Sequence, residues 1–258
     1  MITFYKYQGT GNDFIMIDNR DKKFNSDLSG IKKLCDRRFG IGADGLILLE
    51  NVKDYDFSMV YFNSDGNEST MCGNGGRCIT AFAAFLGVIK ISAKFIAIDG
   101  EHEAKIFENG IVSLKMKDVS VIEKSGNDFI LDTGSPHFVR FVDKVSDLDV
   151  FSEGRKIRRS ERFSAKGINV NFVELKDGTL NVRTYERGVE DETLSCGTGV
   201  TASALAVASA GLVSGKTECR IAVPGGSLKV KYKLQNKNSF TDVWLEGPAE
   251  FVFKGEIE

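Results

Sequence analysis

Two cysteines stand in the same local context. Cys72 lies in Met71-Cys72-Gly73-Asn74-Gly75-Gly76-Arg77, and Cys196 in Ser195-Cys196-Gly197-Thr198-Gly199-Val200-Thr201. An Ala-rich apolar run of helical length follows each. A cysteine at a helix start meets unpaired amides and the positive end of the helix dipole, which favour thiolate over thiol. The same amides form an anion site suited to a carboxylate. The glycines let a ligand approach the backbone closely. Inverting a carbon centre requires proton removal on one face and delivery on the other, and the reverse reaction exchanges the roles. Two matched thiols suit that demand. Both helix N-termini, acting on the carboxylate, would stabilise the developing carbanion. This chemistry requires no cofactor, and none is indicated. A redox pair is the competing reading, but no Cys-x-x-Cys occurs. Oxidation of Cys72 and Cys196 to a disulfide would be a side reaction that costs activity.

The other candidates carry less. Cys35, Cys78 and Cys219 read as small buried hydrophobes. Only His102 and His137 are available as histidines, so no zinc site of four close ligands is expected. His102, between Glu101 and Glu103, reads as solvated in a turn. Gly211-Leu-Val-Ser-Gly215-Lys216-Thr217 falls one residue short of a phosphate-binding P-loop, and no Gly-x-Ser-x-Gly occurs.

The elements that must position the two thiols are themselves repeated. The cysteines lie 124 residues apart, and the likeness extends outward at offsets of 123–125. Glu68 and Glu192 precede the cysteines, and Gly87 and Gly211 follow them. Ile96-Ala97-Ile98-Asp99-Gly100 matches Ile221-Ala222-Val223-Pro224-Gly225, and Thr10-Gly11 faintly matches Thr133-Gly134. Two copies result. The first covers 1–117, to which 249–258 adds a C-terminal strand, and the second covers 118–248. In each, a strand (57–62, 180–185) leads through a polar turn to the cysteine and a helix (73–86, 197–210), after which strands return. Gly87 and Gly211 suit the left-handed position just past a helix end. The apolar residues run all round both helices, which predicts burial. The fold class is α/β in the α+β sense, an internal duplication of two similar domains. Each is a mixed or antiparallel sheet wrapped around a central helix, with the site at the domain interface and its thiols facing each other.

Composition agrees with a globular chain. Of 258 residues 42% are hydrophobic and 27% charged, enough for two cores. Lys+Arg is 34 against Asp+Glu 36, a net charge of −2 that argues against nucleic acid as a partner. The basic run Arg155, Lys156, Arg158, Arg159, Arg162 is broken by Glu161 and reads as a solvated face. No apolar run reaches the ~18 residues that span a bilayer, and the first residues lack a signal-peptide core. A cytoplasmic protein with no membrane partner is expected.

Taken in order, further elements carry a resemblance. They are Gly9-Thr10-Gly11-Asn12-Asp13-Phe14, Gly40-Ile-Gly42-Ala-Asp44-Gly45, Phe62-Asn63-Ser-Asp65-Gly66, the two cysteine segments, Gly134-Ser135-Pro136-His137, Tyr185-Glu186-Arg187-Gly188, Pro224-Gly225-Gly226 and Gly247-Pro248. Together they resemble the diaminopimelate epimerase family over essentially the whole chain. The resemblance implies an isomerase that interconverts LL- and meso-2,6-diaminopimelate without cofactor or metal, for lysine and peptidoglycan precursors, in a cleft between two domains. It implies that Cys72 and Cys196 are the acid/base thiols. The amides of Gly73-Asn74 and Gly197-Thr198 would hold the reacting carboxylate. Asn12 and Glu186 would contact substrate, Glu186 at its ammonium. Asn63, Asn169 and Arg187 would hold the far end, and His137 would support proton transfer at a thiol. Two positions depart from the family's habit: Gly45 stands where some members carry Gln, and Ser135 where many carry Asn. Both remain expected substrate-binding positions, Gly45 through backbone alone. The family also implies a homodimer whose partner molecule is otherwise only the small substrate.

Three rival readings differ at named residues. A proline-type racemase of the same duplicated fold tends to carry His where this chain has Asn74. A phenazine-type isomerase lacks the cysteine pair. A non-catalytic amino-acid-binding module would need the anion sites without two thiols.

Overall fold

A computed structural model describes residues 1–258 except Ser26, Ser214, Lys216 and Glu258. Ser214 and Lys216 of the near-P-loop run therefore lie outside the described residues. The chain forms two compact units, Met1–Leu114 with Gly247–Glu258, and Lys115–Glu246.

The first unit contains β1 (Ile2–Gly9), β2 (Asn12–Asp18), α1 (Leu28–Cys35), β3 (Gly45–Glu50), β4 (Phe57–Asn63), β5 (Glu68–Ser69), α2 (Gly73–Phe85), β6 (Ser92–Ala97), β7 (Gly100–Ile106) and β8 (Ile111–Lys115). The C-terminal strand, Glu250–Ile257, pairs antiparallel with β1, Ile2 opposite Ile257. From it the order runs β1–β2–β3–β4–β6–β7–β8, with β5 a short ribbon on β4. Only β2–β3 and β4–β6 are parallel. Each parallel joint requires a crossover, and α1 and α2 supply them. Strands β1, β2, β3 and β7 all touch α2, so the sheet wraps the helix. On its other face Ile15, Ile17, Leu46 and Leu48 pack with Ile31 and Cys35 of α1. Burial on both faces explains why Phe14–Ile17 and Leu46–Leu49 read as unbroken apolar runs.

The second unit contains β9 (Glu123–Ser125), β10 (Asp128–Asp132), β11 (Pro136–Phe141), α3 (Val150–Arg158), β12 (Asn169–Lys176), β13 (Thr179–Glu186), β14 (Asp191–Thr193), α4 (Gly197–Ser209), β15 (Glu218–Val223), β16 (Gly226–Asn236) and β17 (Ser239–Pro248). Its order, β9–β10–β11–β12–β13–β15–β16–β17 with β14 on β13, repeats the first unit strand for strand. The parallel joints are again the third and fifth, β11–β12 and β13–β15. The expected α+β duplication of a sheet around a central helix is what the chain forms. The short outer helices are capped by aspartates, Asp27 accepting from Gly30 N and Asp149 from Ser152 N. The inner helices, each of 13 residues, have Cys72 and Cys196 at their N-cap positions.

The reading of His102 as solvated does not hold. It lies in β7, stacks on Phe95 with ring centroids 5.3 Å apart, and meets Asp99 Oδ1 at 3.2 Å. The flanking glutamates point to the opposite face of the strand, as period-2 geometry requires. Cys35, Cys78 and Cys219 are buried, as their apolar contexts predict. Burial pushes the Cys35 thiol up to about 11 and the Cys78 thiol further. Among the described residues no helix is long and apolar enough to cross a membrane, and no three His, Cys, Asp or Glu side chains cluster to hold a metal ion.

Candidate active site

In the first unit the site is built on the start of α2. Cys72 has an extended backbone (φ −101°, ψ 148°) and its Sγ accepts from Gly75 N at 3.1 Å, so the thiol itself caps the helix. An anionic sulfur is the better acceptor for that amide, so the bond favours thiolate. The loop before it is tied down where Met71 N donates to Asp99 Oδ1 at 3.2 Å. Gly75 leaves the thiol room, because a Cβ would lie 3.1 Å from both Cys72 Sγ and Ile47 Cδ1 and press on them.

Asn74, Asn12 and Asp44 form a chain of side chains. Asn74 Nδ2 donates to Asn12 Oδ1 at 3.3 Å, and Asn12 Nδ2 donates to Asp44 Oδ2 at 2.6 Å. Asp44 also accepts from Arg37 Nη2 at 2.7 Å. Beside it Asp13 takes both Arg37 amino groups, at 2.9 and 2.7 Å, and the Lys6 ammonium at 2.8 Å. Burial alone would raise the Asp13 carboxyl; the Arg37 and Lys6 hydrogen bonds override it and hold the group at about 2. Gly45 and Asn63 are register partners across β3 and β4. Gly45 is buried, and any Cβ there would lie 2.5 Å from Phe62 O and 2.6 Å from Tyr61 Cε2. The Tyr61 ring thus explains the absent side chain at 45.

In the second unit the start of α4 repeats the arrangement with a difference. Cys196 is buried and extended (φ −119°, ψ 110°), and its Sγ makes no capping bond but lies 3.6 Å from Thr198 Oγ1. Thr133 Oγ1 donates to Thr198 O at 2.8 Å, which seats the 133–135 loop on the first turn of α4. Ser135, Asn169 and Arg187 form one cluster. Asn169 Nδ2 donates to Ser135 Oγ at 2.8 Å, its Oδ1 accepts from Arg187 N at 2.8 Å, and Arg187 Nη2 reaches Ser135 Oγ at 3.4 Å. Arg187 Nη1 donates to Lys166 O at 3.2 Å, and no carboxylate of the described residues pairs with this guanidinium. A guanidinium has the fork geometry to take a carboxylate through two hydrogen bonds. Glu186 Oε2 accepts from Thr193 Oγ1 at 2.9 Å at the end of β13.

His137 is wholly buried and pairs in register with Asn169. Burial pulls its imidazole down to about 3, so it is neutral near pH 7. Its Nδ1 lies 3.1 Å from Asn171 Nδ2, which also donates to Phe138 O at 3.0 Å, while Asn171 Oδ1 accepts from Thr184 Oγ1 at 2.9 Å. The Phe138 carbonyl and Thr184 hydroxyl fix which way the amide points. Nδ1 is then the acceptor, and the proton sits on Nε2. Sequence reading missed Asn171. Its signal was the Asn-x-Asn spacing, which puts Asn169 and Asn171 on one face of β12. It packs under α4, where a Cβ on Gly199 would lie 2.4 Å from Asn171 Oδ1.

Solved structures share this fold. A Bacillus anthracis phenazine biosynthesis protein of the PhzF family matches 100% of this chain and 99% of its own, with TM-score 0.76 and 13% identity. A probable proline racemase from Agrobacterium radiobacter K84 matches 100% and 93%, with TM-score 0.65 and 13% identity. These likenesses define a class, the duplicated α+β fold with an inner helix in each half. Sequence narrows it. A profile described as diaminopimelate epimerase matches residues 4–122 and 129–252. The diaminopimelate epimerase of Flavobacterium psychrophilum is 57% identical over 98% of this chain and 99% of its own, and that of Chlorobaculum tepidum 42% over 96% and 98%. The chain belongs to the diaminopimelate epimerase family.

Proposed function

We propose that this protein interconverts LL- and meso-2,6-diaminopimelate by proton transfer between Cys72 and Cys196, without cofactor or metal, in lysine and peptidoglycan precursor synthesis. The observation that carries the reading is a cysteine at the N-cap of both repeat-related inner helices, in a chain of this family. The substrate has two amino-acid ends, of which one reacts. Its reacting carboxylate lies on the amides of Gly73-Asn74 and Gly197-Thr198, whose dipoles take up charge as the α-carbon loses its proton. One sulfur, as thiolate, accepts the α-proton. The other, as thiol, gives its own proton to the opposite face. After one turnover the two sulfurs have exchanged protonation states, and the enzyme is set for the reverse direction.

Glu186 faces the reacting ammonium, and Asn12 orients the same end with Asn74 behind it. Asn63, Asn169, Ser135 and Arg187 hold the distal amino-acid end, and Gly45 offers backbone only. His137, neutral with a proton on Nε2, supports a thiol as a hydrogen-bond donor rather than as a cation. The active protein is a cytoplasmic homodimer.

The test is a proton-exchange assay. Reduced protein is incubated with LL-diaminopimelate in D₂O, and Cα–H loss is followed by NMR with chiral separation of products. Deuterium at one α-carbon with formation of the meso isomer is the expected result. No exchange with diaminopimelate, but exchange with proline, overturns the reading in favour of a sister racemase.

A further inference from the structure

Arg77 is a charge that the proton-transfer scheme does not use. It sits on the fifth residue of α2 and is wholly buried. Its partners are all neutral: Nη1 donates to Gly73 O at 3.2 Å, Nη2 to Thr10 Oγ1 at 3.1 Å, and Nε to Pro248 O at 3.3 Å. No carboxylate among the described residues pairs with it. A buried cation supplied only with neutral acceptors is costly unless an anion completes it.

The guanidinium is aimed. Helical side chains lean toward the N-terminus, and this one reaches the carbonyl of Gly73, the residue after Cys72. The receiving hydroxyl is held at some strain. Thr10 and Gly11 are the two central residues of the β1–β2 hairpin, with φ of 52° and 87°. A β-branched residue rarely adopts that left-handed conformation. A bare turn would favour Asn or Gly there; threonine supplies the acceptor for Arg77. Gly9 completes the fit, since a Cβ there would lie 3.2 Å from Arg77 Nη2.

The duplicate half lacks this device. The residue 124 further on is Thr201, a neutral side chain donating to Gly197 O at 2.9 Å. Two thiols flank Arg77 in the chain and on the helix: Cys78, whose thiol burial pushes up so that it stays protonated, and Cys72, next to the Gly73 carbonyl that Arg77 holds. Cys72, capping the helix, is the one able to carry the anion.

We propose that Arg77 is the fixed counter-charge of the Cys72 thiolate, so that the resting protein keeps its negative charge on Cys72 and its exchangeable proton on Cys196. Arg77 is a positioning residue that acts through Cys72, and the inference rests on reading the two thiols as an acid–base pair.

The test is the pH profile of iodoacetamide alkylation at Cys72 in the full-length reduced protein, read by peptide mass spectrometry with Cys196 as internal reference. In R77Q, which keeps donors but loses the charge, the Cys72 midpoint should rise by about one pH unit or more, within the range over which neighbouring cations lower thiols. R77K should stay close to the unsubstituted protein, and Cys196 should not move. A folded R77Q with an unmoved Cys72 midpoint overturns the proposal. If R77Q does not fold, T10V removes the hydroxyl that aims the cation, and an unmoved midpoint there overturns it instead. Diaminopimelate turnover by the unsubstituted protein is followed in parallel. Failure of turnover with an Arg77-dependent Cys72 midpoint rejects the epimerase reading alone.

Discussion

Asn169 Nδ2 donates to Ser135 Oγ at 2.8 Å, and the same oxygen is within 3.4 Å of Arg187 Nη2. The shorter serine, where many family members carry asparagine, is thus absorbed into the cluster that aims the guanidinium. Ser135→Ala removes one acceptor shared by two donors. At about 1 kcal/mol for such a hydrogen bond, KM for diaminopimelate should rise about fivefold with little change in kcat. Steady-state kinetics on both isomers check this.

Arg187→Met should act on the same step more strongly. A hydrogen bond to a charged group contributes about 1.5–3 kcal/mol, so KM should rise about 10- to 100-fold. Inhibition by an amino acid lacking the distal carboxylate should barely change, and a competition assay separates the two effects. Equal weakening of both ligands would contradict a distal clamp.

Removing either thiol should stop epimerisation. A positioned acid or base contributes roughly 10²- to 10⁴-fold, and Cys72→Ala or Cys196→Ala should each lose at least that much of kcat in the D₂O assay. An active double variant would end the two-thiol mechanism.

His137 gives a pH signature. Its imidazole is near 6.5 when unfolded and held at about 3 by burial in the fold. Between those values the unfolded chain binds a proton that the native state refuses. Stability therefore falls as pH drops from about 6.5 toward 3, by up to about 1.4 kcal/mol per pH unit for one proton. Asp13, held at about 2, adds loss in the same direction only below about 3.8. Urea unfolding at pH 7 and pH 5 should show the His137 share, and His137→Gln should remove it. Asn171→Ala should instead release the tautomer, seen as mixed Nδ1–H and Nε2–H signals in nitrogen NMR.

Gly45→Ala tests the packing at the β3–β4 pair. Its Cβ would meet the Phe62 carbonyl at 2.5 Å and the Tyr61 ring at 2.6 Å. Overpacking of this kind costs about 1–3 kcal/mol, and a thermal melt should drop by several degrees.

What the sequence made legible follows from what it repeats. The inner helices were readable because Cys-Gly-x-Gly marks their starts and left-handed Gly87 and Gly211 their ends. They fold as Gly73–Phe85 and Gly197–Ser209, close to the expected spans. The outer helices α1 and α3 were missed. Each is short, and part of its burial comes from packing on the outer face of the sheet, not from a long local period. His102 was misread because its neighbours are charged, whereas its own burial comes from Phe95 across the strand pair. Asn171 and Arg77 were visible as letters, but their work depends on contacts with His137 and Thr10, 34 and 67 residues away. Spacing along the chain carries no sign of such pairs.

The pairing of the last strand with the first has a consequence for biosynthesis. As the ribosome delivers the chain, Ile2–Gly9 has its β2 neighbour early, but its other edge waits for Glu250–Ile257. Lys115–Glu246 is contiguous and can close as soon as it emerges. The half made first is therefore the half finished last. Until Glu250–Ile257 emerges, its unpaired edge is the stretch most exposed to wrong partners, and a nascent chain stalled before residue 250 should be the species that chaperones hold.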